Sequence, residues 1–247
     1  MQLSRVELAV LNNIRWYEAM FDAHGLASKV DGRAWRSLET PPPFHSNLVV
    51  LAGATTQAEV EASISEIRNH RQPAGWSLKD SYACLDLQSV GFTRLFEADW
   101  IWRDPGPLAV ARGERRLAWQ AVSTDVELLE WECAWWGDTR NGTGQDRTRQ
   151  FPPRLGTSPD HVFFAGRLEG RLVAGGIANR SPGVVGLSNL FAPEAFAQDC
   201  WNGLVDGIGA RFPGVPIVGY ERDADLQRAL AAGFRTVGKL RVWRCAG

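Results

Sequence analysis

Residues 187–205 read LSNLFAPEAFAQDCWNGLV, an apolar run, a proline-centred turn and an amphipathic run in direct succession. Leu187–Phe191 predicts a strand, Ala192-Pro193-Glu194 a tight turn, and the residues from about Pro193 to Arg211 a helix. Phe212-Pro213-Gly214 then breaks the chain, because proline removes a donor and glycine accepts a positive φ. Strand followed by turn followed by helix is an α/β signature, and it sets the frame for the rest of the C-terminal half.

Working outward, Arg116–Val122 alternates as a strand, and Thr124–Trp136 reads as a helix capped by Ser123 or Thr124. Residues 137–160 form a long polar excursion rich in Gly, Thr, Arg and Pro. From His161 the pattern gives three strands with turns at Glu169-Gly170 and Ser181-Pro182-Gly183, the third running into Phe191. After the 193–211 helix come a strand over Val215–Glu221, a short helix stopped by Gly233, and a closing strand from Arg235 to Arg244.

The order of these elements over residues 108–247, the Val218-Gly219-Tyr220-Glu221 strand end, the Ala232-Gly233-Phe234 helix stop and the closing VGKLRVW strand resemble the acetyltransferases of the GNAT superfamily. The resemblance implies a mixed, largely antiparallel twisted sheet flanked by helices. It also implies N-acyl transfer from acetyl-CoA or another acyl-CoA to an amine acceptor. In that family the strand is followed by Gln/Arg-x-x-Gly-x-Gly/Ala, whose glycines let backbone N–H groups close on a pyrophosphate at a helix start. In this chain that stretch reads Phe196-Ala197-Gln198-Asp199-Cys200-Trp201, so the frame is present and the phosphate-loop residues are replaced. By position, Leu190, Phe191, Ala192, Gln198, Asp199, Cys200, Trp201 and Asn202 are the cofactor-binding candidates. The family also commonly places a Tyr, as proton donor to the leaving thiolate, four residues before the Gly of the helix stop; that position is Ala229.

The N-terminal half carries a fainter version of the same ending. Asn47–Gly53 reads as a strand, TTQAEVEASISEIRNHR as a helix with Val60, Ile64 and Ile67 on one face, and WSLKDSY as a strand. Ala83–Phe92 then predicts a second helix stopped at Gly91, and Thr93–Arg103 a last strand. Both halves thus end in a short helix, Gly-Phe and a strand closing on Trp and Arg, with Leu87 where the C-terminal half has Ala229. The reading is a tandem, degenerate pair of GNAT-like modules, 1–105 and 106–247, joined through Arg103-Asp104-Pro105-Gly106-Pro107. Ahead of them, Leu3–Gly25 predicts a helix and Ser28–Leu38 another, before Pro41-Pro42-Pro43 breaks the chain.

Composition bounds the function. The 247 residues carry a net charge of −1 and only three lysines, so the concentrated basic surface that nucleic acid demands is absent and no nucleic-acid partner is expected. No window reaches the roughly 18 apolar residues of a membrane span, Arg5 and Glu7 break any leader-like apolar core, and no membrane partner is expected. The four cysteines are widely spaced with no zinc-like pattern, which predicts a reduced, cytoplasmic protein without a metal.

The candidate catalytic residue is Glu221, at the carboxyl end of its strand, where folds of this type bring reacting groups together. Candidates for the substrate side are Trp131 and Trp135 from the Trp-rich helix, Ser188 and Asn189 from the strand that meets the pantetheine arm in the resembling family, and Tyr220. Arg140-Asn141-Gly142-Thr143-Gly144 mimics a phosphate loop but follows a helix instead of a strand. Two functions stand at this point: acyl transfer to an amine, and non-catalytic binding of a small-molecule ligand or partner in a cleft lined by some of the 11 tryptophans.

Overall fold

The computed structural model describes residues 3–37, 39–69, 76–107, 117–137 and 149–245. In chain order the elements are α1 (Arg5–His24), β1 (Lys29–Asp31), β2 (Ala34–Arg36), β3 (Leu48–Val50), α2 (Gln57–Asn69), β4 (Ser77–Asp80) and β5 (Phe92–Arg103). They continue as β6 (Ala118–Ala121), α3 (Asp125–Trp135), α4 (Pro153–Gly156), β7 (His161–Leu168), β8 (Arg171–Ser181) and β9 (Val184–Phe191). The last four are α5 (Ala197–Arg211), β10 (Ile217–Glu221), α6 (Asp223–Ala231) and β11 (Arg235–Cys245). Two compact units result: unit 1 is Met1–Trp100 with Val237–Gly247, and unit 2 is Ile101–Thr236. Where the sequence reading divides the chain linearly at residue 105, unit 1 is therefore discontinuous and includes most of the closing strand.

In unit 1, α1 starts at a capping box: Ser4 Oγ accepts from the Glu7 amide at 3.2 Å and the Glu7 carboxylate accepts from the Ser4 amide at 2.7 Å. Its inner face places Ile14, Tyr17 and Phe21 against Trp35 and Val49. Strand order is β1-β2-β3-β4-β11-β5, with β3 and β4 parallel and the β1–β2, β2–β3 and β4–β11 pairs antiparallel. The parallel pair needs a crossover, which α2 supplies by burying Val60, Ile64 and Ile67 on Leu48, Val50 and Leu78.

The helix expected over Ser28–Leu38 is instead the β1–β2 hairpin. Asp31 pairs with Ala34 across Gly32-Arg33, and Gly32 takes φ +59 at the first central position of the two-residue loop. Glycine at the first of two loop residues between β-prone segments is the hairpin signal that outweighed the helical reading. The helix expected over Ala83–Phe92 contracts to a single 3₁₀ turn, Gln88–Val90, although Gly91 does stop it at φ +85.

Unit 2 has the order β10-β9-β8-β7-β6, parallel between β10 and β9 and antiparallel beyond. α3 begins at a second capping box, Thr124 with Glu127. α5 lies close to the strands because glycines face them: an ideal Cβ on Gly203 would stand 2.0 Å from Trp119 Nε1, and one on Gly207 3.0 Å from Phe164 Cε1. Leu204, Val205 and Ile208 complete that face, with Val185, Leu187 and Ile217 opposite. The Arg103–Pro107 segment is clamped. Arg103 donates to the carbonyls of Ala232, Gly106 and Pro107 at 3.0–3.1 Å, and Asp104 accepts from Trp102 Nε1 and pairs with Arg235, each at 2.7 Å.

Candidate functional site

The candidate site lies in unit 2, where β9 and β10 leave their shared ladder. Among the described residues that ladder pairs Val185 with Ile217 and Gly186 with Val218 only. β9 continues past it with a bulge: against β8 the register passes from Ile177–Ser188 to Gly175–Phe191, and Asn189 takes φ +54. A non-glycine residue in that conformation carries local strain, which a bulge uses to redirect neighbouring peptide groups. Asn189 Nδ2 donates to Ser188 Oγ at 3.0 Å, so the two substrate candidates on β9 form one polar pair.

Glu221 ends β10 and is half-buried. Burial, reinforced by the Asp225 carboxylate and opposed by Arg222, pushes its carboxyl up to about 8. Asp225 lies four residues on, in the first turn of α6. That spacing was legible in the sequence, but its effect depends on burial that sequence alone does not report.

The start of α5 differs from the expected entry. A 3₁₀ turn, Glu194–Phe196, follows β9, and α5 proper begins at Ala197 instead of Pro193. The Phe196 amide donates to the Pro193 carbonyl at 2.8 Å and the Ala197 amide to the Glu194 carbonyl, so these two peptide donors are satisfied within the turn. Asp199 and Gln198 are half-buried in the first turn, and Gln198 Nε2 donates to Asn202 Oδ1 at 3.3 Å and to the Arg228 carbonyl at 3.2 Å. Arg228 pairs with Glu194 at 2.5 Å and Asp225 at 2.9 Å. Sequence reading missed Arg228; the Asp225–Arg228 spacing of three on one helix face was its only signal.

Two cofactor candidates are core residues. Cys200 and Trp201 are each 2% exposed. Cys200 Sγ sits 3.6 Å from the Phe191 carbonyl and 3.7 Å from that of Gly175, and burial pushes its thiol up to about 12, which keeps it inert at neutral pH. The Trp201 ring meets Phe234 edge-on at 5.6 Å. Leu190, Phe191 and Ala192 are half-buried beside them.

Trp131 is a core residue where the cleft reading had it lining a ligand site. Trp131 is fully buried, donates Nε1–H to the Phe164 carbonyl at 2.9 Å, and meets Phe151, Phe163 and Phe191 edge-on. Trp135 is half-buried and meets Trp136 and Phe151 edge-on. Tyr220 is half-buried on β10. A buried carboxylate the sequence did not reveal, Glu132, accepts from the Arg149 side chain and the Gln150 and Phe151 amides at 2.6–3.3 Å, tying that returning segment to α3. Residues 140–144, the phosphate-loop mimic, lie outside the described residues.

No helix of the described residues is long and apolar enough to cross a membrane, and no group of three or more His, Cys, Asp and Glu among them could hold a metal ion. No protein-family model and no curated protein matches the sequence.

Solved structures do match. A GCN5-related N-acetyltransferase from Kribbella flavida superposes with a TM-score of 0.67 over 96% of this chain and 95% of its own, at 13% identity. A functionally unknown conserved protein from Staphylococcus epidermidis gives 0.66 over 90% and 94%, also at 13% identity. A GCN5-related N-acetyltransferase-like protein from Streptococcus suis gives 0.53 over 95% and 97% at 12%. The chain has the GNAT fold: a mixed α/β architecture shared with N-acetyltransferases along nearly its whole length.

Proposed function

We propose that the chain is an acyltransferase that moves an acyl group from an activated donor to a primary amine where β9 and β10 diverge, with Glu221 as the base. The observation that carries this is Glu221 itself, a half-buried carboxyl at the end of β10 whose proton affinity is pushed up to about 8. A base is most effective when its pKa is near the working pH, because it is then ionised often enough and still basic enough to take a proton.

The reaction written for a thioester donor is balanced by two protons. The incoming alkylammonium gives one to the Glu221 carboxylate; the freed amine nitrogen adds to the thioester carbonyl, and the C–S bond breaks as the amide forms. The nitrogen's second proton reaches the departing sulfur, and Glu221 passes its own to water. Ala229 is fully buried and has no proton to give, so the leaving group is protonated without a tyrosine. Ser188 and Asn189 hold the acyl side from β9, and Tyr220 lies beside Glu221 on β10.

We also infer that the two units descend from one duplicated module. Each has a parallel strand–helix–strand unit, a helical turn stopped by a left-handed glycine, and Phe after it. The binding-protein reading loses one of its two named tryptophans, because Trp131 has no exposed ring to offer.

The test is thiol release from a thioester over a panel of primary amines. The expected kcat/KM rises with pH with its midpoint near 8, as Glu221 ionises. Glu221→Gln should lower it by about 10²–10⁴-fold and remove that titration. An unchanged profile in Glu221→Gln would sink the assignment.

A further inference from the structure

An acyl-CoA has two recognition problems in one molecule: a thioester arm with two amides, and a nucleotide diphosphate. Unit 2 is built for the first and against the second. A diphosphate bound at a helix start needs free N–H groups, close backbone approach and a positive local field. At α5 the Phe196 and Ala197 amides already serve the Pro193 and Glu194 carbonyls. Close approach would require small residues at 199 and 201; Asp199 and Trp201 stand there, and the Trp201 ring belongs to the core against Phe234. The field is also wrong, since Asp199 lies in the first turn, Glu194 is 84% exposed, and Arg228 beside it is engaged by both Glu194 and Asp225.

The arm is another matter. Beyond Gly186, β9 leaves the β10 ladder, and the bulge at Asn189 breaks its register with β8. Peptide groups along such a strand end can pair with an extended, amide-bearing chain by strand addition. Ser188, Leu190, Phe191 and Ala192 along this stretch are all half-buried.

We propose that the acyl donor is a thioester on a pantetheine-type arm without a nucleotide diphosphate, either free or tethered to a carrier protein. This rests on the acyltransferase reading above, and its test separates the two. Wild-type protein is assayed for thiol release with S-acetyl-pantetheine, acetyl-CoA and an acetylated acyl carrier protein over the same amines. The expected kcat/KM for S-acetyl-pantetheine is within about threefold of that for acetyl-CoA, and millimolar ADP does not inhibit. A further rise with the carrier protein identifies the tethered source, and no rise the free one. Preference for acetyl-CoA by 30-fold or more overturns the inference and leaves acyl transfer standing. If no thioester turns over, acyl transfer itself falls. Calorimetry with the thiols pantetheine and CoA then judges the arm alone: comparable affinities support it, while tenfold tighter CoA, or no binding of either, overturns it.

Discussion

The turn at Gly91 in unit 1 and the turn at Gly233 in unit 2 are built from the same pair of hydrogen bonds. Phe92 donates to the Leu87 carbonyl and Phe234 to that of Ala229, each at 3.1 Å, while the two glycines close the inner bonds to Gln88 and Leu230 at 3.0–3.1 Å. Both glycines are left-handed, at φ +85 and +88, and Leu87 and Ala229 are both fully buried. Twelve residues before each glycine the chemistry parts. Unit 1 has Lys79, 2% exposed, donating to Asn13 of α1 at 2.9 Å with its Nζ 4.9 Å from the centre of the Tyr17 ring. Unit 2 has Glu221, partly exposed and held proton-rich. A shared backbone device has been sealed by a helix in one unit and kept for a titratable acid in the other.

The largest expected effect tests that division of labour. Lys79→Met should leave turnover within about twofold of wild type under conditions where Glu221→Gln loses about 10²–10⁴-fold. A comparable loss in both would mean that unit 1 takes part in the chemistry.

Helix packing supplies a smaller contrast. α5 reaches its strands through Gly203, whereas α2 uses Val60, Ile64 and Ile67. Gly203→Ala, which must displace Trp119, should cost about 1–3 kcal/mol in denaturant unfolding. Ile64→Val should cost about 0.5–1.5 kcal/mol. Gly91→Ala and Gly233→Ala should each cost about 1–2 kcal/mol, since both place a side chain at positive φ. Clearly unequal costs for that pair would break the parallel between the turns.

A last contrast is in the pH dependence of stability, where the units pull in opposite directions. Burial lowers His45 in unit 1 from 6.5 to about 4, so the unfolded chain binds more protons there and stability falls as pH drops through that window. Glu221 is raised from 4.5 to about 8, so the folded chain binds more protons and stability falls as pH climbs through that window. Thermal melts should show Glu221→Gln matching wild type near pH 4.5 and exceeding it by pH 9. His45→Gln should flatten only the acid limb.

Much of unit 2 was legible because local rules and tertiary needs agree there. The 161–191 meander has its turn residues at Glu169-Gly170 and Ser181-Pro182-Gly183, and Glu169, Gly170 and Gly183 all take the positive φ those turns require. The buried face of α2 followed from spacing alone. What resisted reading depends on distant partners. Glu132 answers to Arg149–Phe151, Lys79 to Asn13, and Arg103 to Ala232; no window of sequence holds both ends of these contacts. At the candidate site, the placing of Glu221, Ser188 and Asn189 on strands was readable, but the bulge at Asn189 was not, because asparagine tolerates a positive φ without requiring one. Trp131 and Trp201 were read as ligand-facing when they are core, since an indole looks the same in sequence whichever way it points.

β11 carries a consequence for how the molecule is made. Residues 241–244 pair with β4, and the Cys245 amide donates to the Trp76 carbonyl at 2.9 Å. On the ribosome, β4 is synthesised well before its neighbour, while every residue of unit 2 has been added before Val237. Unit 1, begun before unit 2, is therefore completed after it, with one side of β4 waiting until β11 leaves the exit tunnel.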